Sequence, residues 1–468
     1  MISTTYDLII VGSGAAGLAA ALSALERKHE RGSSARIALL ERSDAAERGG
    51  NTRYSPAYMR LEAVDRLAPG FVEDMLAVSA GRSDRRIIER LAREAVPTLA
   101  WLQRYGVTFH RPLTYFLTAA APRIQPMGGG AAIVEQLATA LGRQIPTLFG
   151  IAAERLVLDD HGAIAGLEAR DADGRRLSLR GRAIILACGG YEASRELLAE
   201  TIGAKAAELR FIARGTRFNR GEGIRMALEA GALRSGDWTG FHCEPVDPRS
   251  EAPEAVVLVY PYGIVVNRLG KRFFDEGAGR VDETWETLAR TIAFEQDGAV
   301  AYAIFDQRLF TIEGYERAIK SEIPPYRADS IAALAGALQI DPTALDATIA
   351  SYNAAAAGDE TAFDPTRTDG LKTIGPLDPP KSNWARPIDR PPFLAYPLAC
   401  AIAYTFGGIA TNDDAEVLRS DGTPLHGLYA AGEINGLFFH RAPGGTSVLR
   451  ALVFGRIAGH KAIDYLNA

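Results

Sequence analysis

The sequence predicts an α/β protein, a Rossmann-like dinucleotide-binding domain that is discontinuous in the chain and carries a second domain between its halves. Three observations predict this. A strand, a glycine-rich turn, a helix and a second strand open the chain over Tyr6–Glu41. The same texture returns near the other end, with a strand over Leu425–Ala431 and a helix over Val448–Leu466. From about Trp238 the texture between them changes to Pro, aromatic and mixed-charge clusters. A chain of 468 residues accommodates two or three domains of about 100–200 residues each.

Tyr6-Asp7-Leu8-Ile9-Ile10-Val11 is a near-continuous apolar run, as in a strand buried on both faces. Gly12-Ser13-Gly14-Ala15-Ala16-Gly17 is the turn, and the Ala/Leu-rich Leu18–Leu25 predicts a helix. Polar Lys28–Ala35 reads as a surface loop before a second strand at Arg36–Glu41. Ile151–Asp160 and Ala163–Ala169 predict a hairpin about His161-Gly162, Arg182–Ala187 a buried strand and Gly221–Ala230 a helix. Ala328–Asn353 reads as helical, with a start at Asp341-Pro342. Thr361–Pro392 is rich in Pro and Asp, lacks periodicity and reads as a long surface excursion. The expected domains are 1–237 and 387–468 for the dinucleotide-binding unit and 238–386 for the insert.

Apolar residues make up 47% and charged residues 23%, which excludes a disordered or fibrous chain. Lys plus Arg number 52 against 57 Asp plus Glu, a net charge of −5 with no basic block. Nucleic-acid binding needs clustered cations and is therefore not expected. Cys188, Cys243 and Cys400 lie far apart without ligand spacing, so neither a metal site nor a disulfide framework is expected, and a reducing compartment is favoured. Leu8–Val11 is too short to span a bilayer, and the start of the chain lacks the cationic region and long apolar core of an export signal. The expected location is the cytoplasm.

The strongest chemistry lies in Gly12-x-Gly14-x-x-Gly17, placed after a strand and at the start of a helix. The first glycine permits a sharp turn, the second lets backbone approach a pyrophosphate, and the third lets helix and strand pack closely. The helix start adds unpaired N–H groups and a positive dipole end. Glu41 closes the second strand, where a carboxylate accepts from ribose hydroxyls and disfavours a 2′-phosphate. The fingerprint alone does not separate FAD from NAD. Gly49-Gly50-Asn51-Thr52 shortly after Glu41, and a C-terminal strand ending in Gly432-Glu433, favour FAD. No second strand–GxGxxG–helix is present, since Gly128-Gly129-Gly130 follows Pro126-Met127, so one flavin is expected.

Tyr6–Gly17, Glu41, Gly49–Thr52, Leu186–Gly190, Gly427–Glu433 and Gly444-Gly445 resemble the flavoprotein family of fumarate reductases, succinate dehydrogenases and 3-ketosteroid Δ1-dehydrogenases. Gly236–His242, Tyr260–Asn267, Gly270–Ala278, Pro443–Gly445 and Phe454–Gly459 resemble its tricarballylate dehydrogenase-like branch in particular. The resemblance implies an FAD domain interrupted by an α+β capping domain, from about Trp238 to about Arg386, with the active site between them. It also implies addition or removal of two hydrogens across a C–C bond next to a carboxylate or ketone. The residues expected to hold a non-covalent FAD are Gly12, Gly14, Ala15, Ala16, Gly17, Glu41, Arg42, Gly49, Gly50, Asn51, Thr52, Gly129, Gly130, Ala153, Ala187, Gly189, Gly190, Asn219, Glu222, Gly432, Glu433, Gly445, Ser447, Val448 and Leu449.

Four residues are expected to carry the reaction. Arg280 corresponds by position to the family's proton-shuttling arginine; because arginine is normally always protonated, that role needs nearby carboxylates, and Asp282 and Glu283 are candidates. His242 matches the cap histidine that binds a substrate carboxylate, and Arg441, one residue out of register, the second substrate arginine. Tyr404 stands where fumarate reductases carry a histidine. A tyrosine there donates to a carbonyl, or acts as a base if its pKa is lowered. Two alternatives therefore stand beside the main reading: a ketosteroid-type ketone desaturase using Tyr404, and a flavoprotein electron-transfer subunit of a larger complex. His440, Tyr54, Tyr115, Phe116 and Tyr262 are further candidates for the cleft, and Cys188 reads as a small packed residue rather than a point of flavin attachment. The electron acceptor, a protein, quinone or oxygen, is not identified by the sequence.

Overall fold

The computed structural model describes residues 2–113, 121–356, 358 and 360–468. Strands β1 (Leu8–Val11), β2 (Ile37–Glu41), β3 (Thr147–Phe149) and β4 (Ala183–Leu186) begin one sheet. The chain then builds a second sheet from β5 (Phe241–Val246), β6 (Ile264–Asn267), β7 (Ala301–Phe305) and the long β8 (Phe393–Thr405). It returns to the first sheet with β9 (Glu416–Leu418) and β10 (Pro424–Ala430). Among the described residues the first sheet runs β9-β10-β4-β1-β2-β3. Its β10, β4, β1, β2 and β3 are parallel. Such strands are covered on both faces, and every residue of β1, β2 and β4 is buried.

The expected hairpin forms between Ala152–Leu158 and Ile164–Arg170, in a separate four-stranded sheet with Arg176–Arg180 and Ile2–Thr5. Helix α1 (Ala15–Glu30) is longer than predicted and absorbs Lys28–Glu30 of the expected loop. The stretch 328–353 is two helices, not one. Gln339 ends the first at φ +58°, and the Asp341 carboxylate caps the second by accepting the Thr343 N–H at 2.8 Å. The 361–392 segment is irregular, as expected, but it is not all surface. Lys381 and Trp384 are fully buried, and the Trp384 indole N–H donates to the carbonyls of Asp364 and Arg367.

Strand β8 carries no sequence signal that we read, yet it organises the second sheet, pairing with β5, β7, Arg210–Phe211 and Tyr326–Ala328. All of it lies after position 386, and its partners Phe241–Val246 and Ala301–Phe305 lie before it, so hydrogen bonding joins residues on both sides of that expected boundary. No helix among the described residues is long and apolar enough to cross a membrane.

Candidate active site

The site begins at the end of β1. A Cβ on Gly12, at φ +102°, would stand 2.4 Å from the Ala187 carbonyl oxygen, and one on Gly17 would stand 1.7 Å from the Gly12 oxygen. Side chains at either place would push the first helix away from the sheet. Helix α2 (Val281–Glu295) packs on β5 and β8 of the second sheet, and α3 (Ser447–Leu466) packs on α1. A Cβ on Gly455 would lie 2.4 Å from the Ala16 oxygen and one on Gly459 2.3 Å from the Ala20 oxygen. These two contacts advance in the same direction, so α1 and α3 run parallel in close backbone contact. Their N-terminal, electropositive ends open on one cavity of about 560 Å³, the arrangement that suits a diphosphate.

Of the expected cofactor residues, Gly12, Gly14, Ala15, Ala16, Glu41, Arg42, Gly49, Gly50, Asn51, Thr52, Ala153, Ala187, Gly189, Asn219, Glu222, Gly432, Glu433, Gly445, Ser447 and Val448 stand on its wall. Gly17, Gly129, Gly130, Gly190 and Leu449 do not. The glycines among them make room for neighbouring protein: a Cβ on Gly130 would meet the Thr52 oxygen at 1.8 Å, and one on Gly190 the Glu433 Oε1 at 2.0 Å. Gly129 lies against Ser55, and Leu449 is fully buried in the core.

The polar groups fit FAD. Glu41 accepts from Ser13 N at 2.9 Å, Ser13 Oγ at 2.6 Å and Ser43 N at 2.8 Å. An ionised carboxylate has about four lone-pair sites, which leaves one for a ribose hydroxyl. Arg42 is held against Glu222 at 3.0 Å. Glu433 accepts from Thr405 N at 2.9 Å and Oγ1 at 3.0 Å. Behind it, fully buried Glu192 accepts from Asn51 and Asn219 through Oε1, while its Oε2 has no partner among the described residues. Burial raises the pKa of both carboxyl groups, and each also feels the other. Cys188 lies on the wall, its thiol pushed up to about 12 by burial.

The four reaction candidates meet on the same cavity. Arg280 is the N-cap of α2, so helix geometry delivers Asp282 and Glu283 beside it. Its Nη2 is 2.7 Å from Glu283 Oε1 and its Nε 3.9 Å from Asp282 Oδ1. Glu283 holds the guanidinium more firmly protonated, and burial raises the Asp282 carboxyl against the pull of Arg280. His242, on β5, faces two carboxylates, Glu286 at Nδ1 and Glu244 at 3.3 Å from Nε2. Burial alone would lower its pKa, but these carboxylates outweigh it and hold it at about 10. The Tyr404 ring lies 4.9 Å from that of His242, and burial raises its phenol well above the usual value. Exposed Arg441 has no side-chain hydrogen bond or ion pair among the described residues.

Tyr54 is on the wall as well. Tyr262 is not: its hydroxyl donates to the Pro365 carbonyl at 2.7 Å. His440 is also off the wall, and Tyr115 and Phe116 lie outside the described residues. Several wall residues escaped the sequence reading. Glu244 follows His242 by two on one strand, and Glu286 follows Asp282 by four on one helix, spacings that place each pair on a common face. Those were legible. Arg60, Arg123, Glu254 and Arg450 come from separate places and carried no local signal.

The FAD binding domain family matches residues 7–448. The chain belongs to that family. It is 27% identical to a probable fumarate reductase of Shewanella frigidimarina, over 99% of this chain and 76% of that protein. It is 28% identical to an NADH:acrylate oxidoreductase of Vibrio harveyi, over 81% of this chain but 37% of that protein. The open conformation of a flavocytochrome c3 fumarate reductase superposes with a TM-score of 0.79, at 24% identity, covering all of this chain and 79% of that one. That likeness is one of fold.

Proposed function

We propose that this chain is an FAD-dependent oxidoreductase that adds or removes two hydrogens across a C–C bond α,β to a carboxylate or ketone, with a Rossmann-like half holding FAD without a covalent link and residues 238–386 forming the cap. The supporting observation is that Arg280, His242, Tyr404 and Arg441 line the same cavity as the two helix N-termini and Glu41. When bound, the flavin exchanges a hydride with one carbon of that bond. The chain's residues do the rest. Arg441 and the wall arginines Arg60 and Arg123 bind the activating carboxylate. Arg280 holds the proton that moves at the neighbouring carbon. Glu283, 2.7 Å from its Nη2 and 45% exposed, connects it to solvent. Tyr404 stays a neutral phenol and donates a hydrogen bond, a role for which burial suits it better than that of a base.

In the ketone-desaturase reading, Tyr404 would instead abstract a proton. A carboxylate panel that includes tricarballylate-type acids, mixed anaerobically with the FAD-loaded protein, should bleach the flavin. No bleaching by any carboxylate or cyclic ketone, with no reoxidation of the reduced enzyme by their unsaturated forms, overturns the proposal. Tyr404→Phe separates the roles: a loss of about 10-fold fits a lost donor, whereas a general base is worth about 10²–10⁴-fold.

A further inference from the structure

The His242 end of the cavity has a charge balance that bears on which substrate the reading above would take, and the inference rests on that reading. His242 lies between Glu286 and Glu244, with a carboxylate at each ring nitrogen. Neither N–H is therefore left for a substrate carboxylate. Glu254 opens on the same cavity and is ion-paired with Lys320. Two cations thus face three carboxyl groups. Burial, with Glu244 adding to it, brings the Glu254 pKa up to about 7.

Glu244 is the telling member. It is 5% exposed and on the cavity wall, and its Oε1 lies 3.3 Å from His242. Its Oε2 is buried with no hydrogen-bond partner among the described residues. A carboxylate oxygen withdrawn from water without a donor is strongly unfavourable, and in folded proteins such atoms are satisfied by a ligand or an ordered water. A second substrate carboxylate placed here would instead meet like charge. Arg60, Arg123 and Arg441 on the same wall supply the opposite sign.

We propose that the substrate is bipolar: its carboxylate binds the wall arginines, and its other end carries an ammonium or comparable N–H donor accepted by Glu244, with Glu254 beside it. The site would thus select an amine-bearing acid over a simple dicarboxylate.

The FAD-loaded enzyme tests this with trans-4-aminobut-2-enoate, trans-but-2-enoate and fumarate. Perturbation of the flavin absorbance reads binding, and reoxidation of the photoreduced flavin reads hydrogen transfer. The amine-bearing acid should bind at least tenfold more tightly than either other acid, and Glu244→Gln should cut that preference at least fivefold. Glu254→Gln, expected to cut it by a smaller factor, serves if Glu244→Gln does not retain flavin. Equal or tighter binding of fumarate or but-2-enoate, no binding of the amine-bearing acid, or an undiminished preference in the variants overturns the proposal. Selective binding without reoxidation by any of the three acids would count against hydrogen transfer to these acids while upholding this proposal.

Discussion

Removing the His242 charge should change how stability responds to pH. The His242 pKa is held at about 10, against 6.5 for the free side chain, by Glu286 and Glu244. A raised pKa means that the native state binds the proton more tightly than the unfolded chain. The stabilisation is therefore complete below pH 6.5 and is lost as pH rises towards 10. At about 1.4 kcal/mol per unit, the contribution is about 4 kcal/mol at pH 7 and about 1 kcal/mol at pH 9. Buried Lys381 acts oppositely in the same window. Its pKa is lowered from 10.5 to about 7, chiefly by burial, so its penalty is relieved as pH rises between those values. The two contributions nearly cancel in the wild-type profile, and only a difference resolves either. Urea unfolding of wild type and His242→Gln should give a stability difference that shrinks by about 2–3 kcal/mol from pH 7 to pH 9. A difference that stays constant within about 1 kcal/mol would refute the charge assignment at this histidine.

Lys381→Met should give the mirror image, with a stability difference that moves in the opposite direction over the same pH range. It also leaves the Gly263 carbonyl, which accepts from Lys381 Nζ, without its donor, a pH-independent cost of about 1–3 kcal/mol. Gly455→Ala should drive α3 from α1, because its Cβ would stand 2.4 Å from the Ala16 oxygen. A loss of about 1–3 kcal/mol is expected, with weakened FAD affinity measured by flavin-fluorescence titration; unchanged flavin affinity would detach the helix pair from cofactor binding. Arg280→Lys keeps a charge but loses the planar fork beside Glu283 at 2.7 Å. Turnover should fall about 10²–10⁴-fold with a smaller change in KM, and near-normal kcat in steady-state assays would remove Arg280 from the proton path.

Elements with local causes were legible in the chain. The apolar run into Gly12, the turn to Gly17, Glu41 and the C-terminal strand and helix all follow from neighbours in sequence, because glycine conformations, helix starts and buried parallel strands are set within a few residues. So were Arg280 with Asp282 and Glu283, since a helix start places them together. The long strand Phe393–Thr405 was not, because its partners come from four separate stretches of chain, Phe241–Val246, Ala301–Phe305, Arg210–Phe211 and Tyr326–Ala328. Nor was the burial of Lys381 and Trp384 inside a segment whose composition reads as surface.

By itself, then, the order of residues determined the nucleotide-binding turn and marked Arg280, His242, Tyr404 and Arg441 as candidates for the reaction. Only the tertiary structure decided their electrostatic setting. It set Glu244, Glu254 and Glu286 around His242 and Arg60 and Arg123 beside Arg441. Charge acts through space over several ångströms, whereas sequence patterns report only on residues a few positions apart.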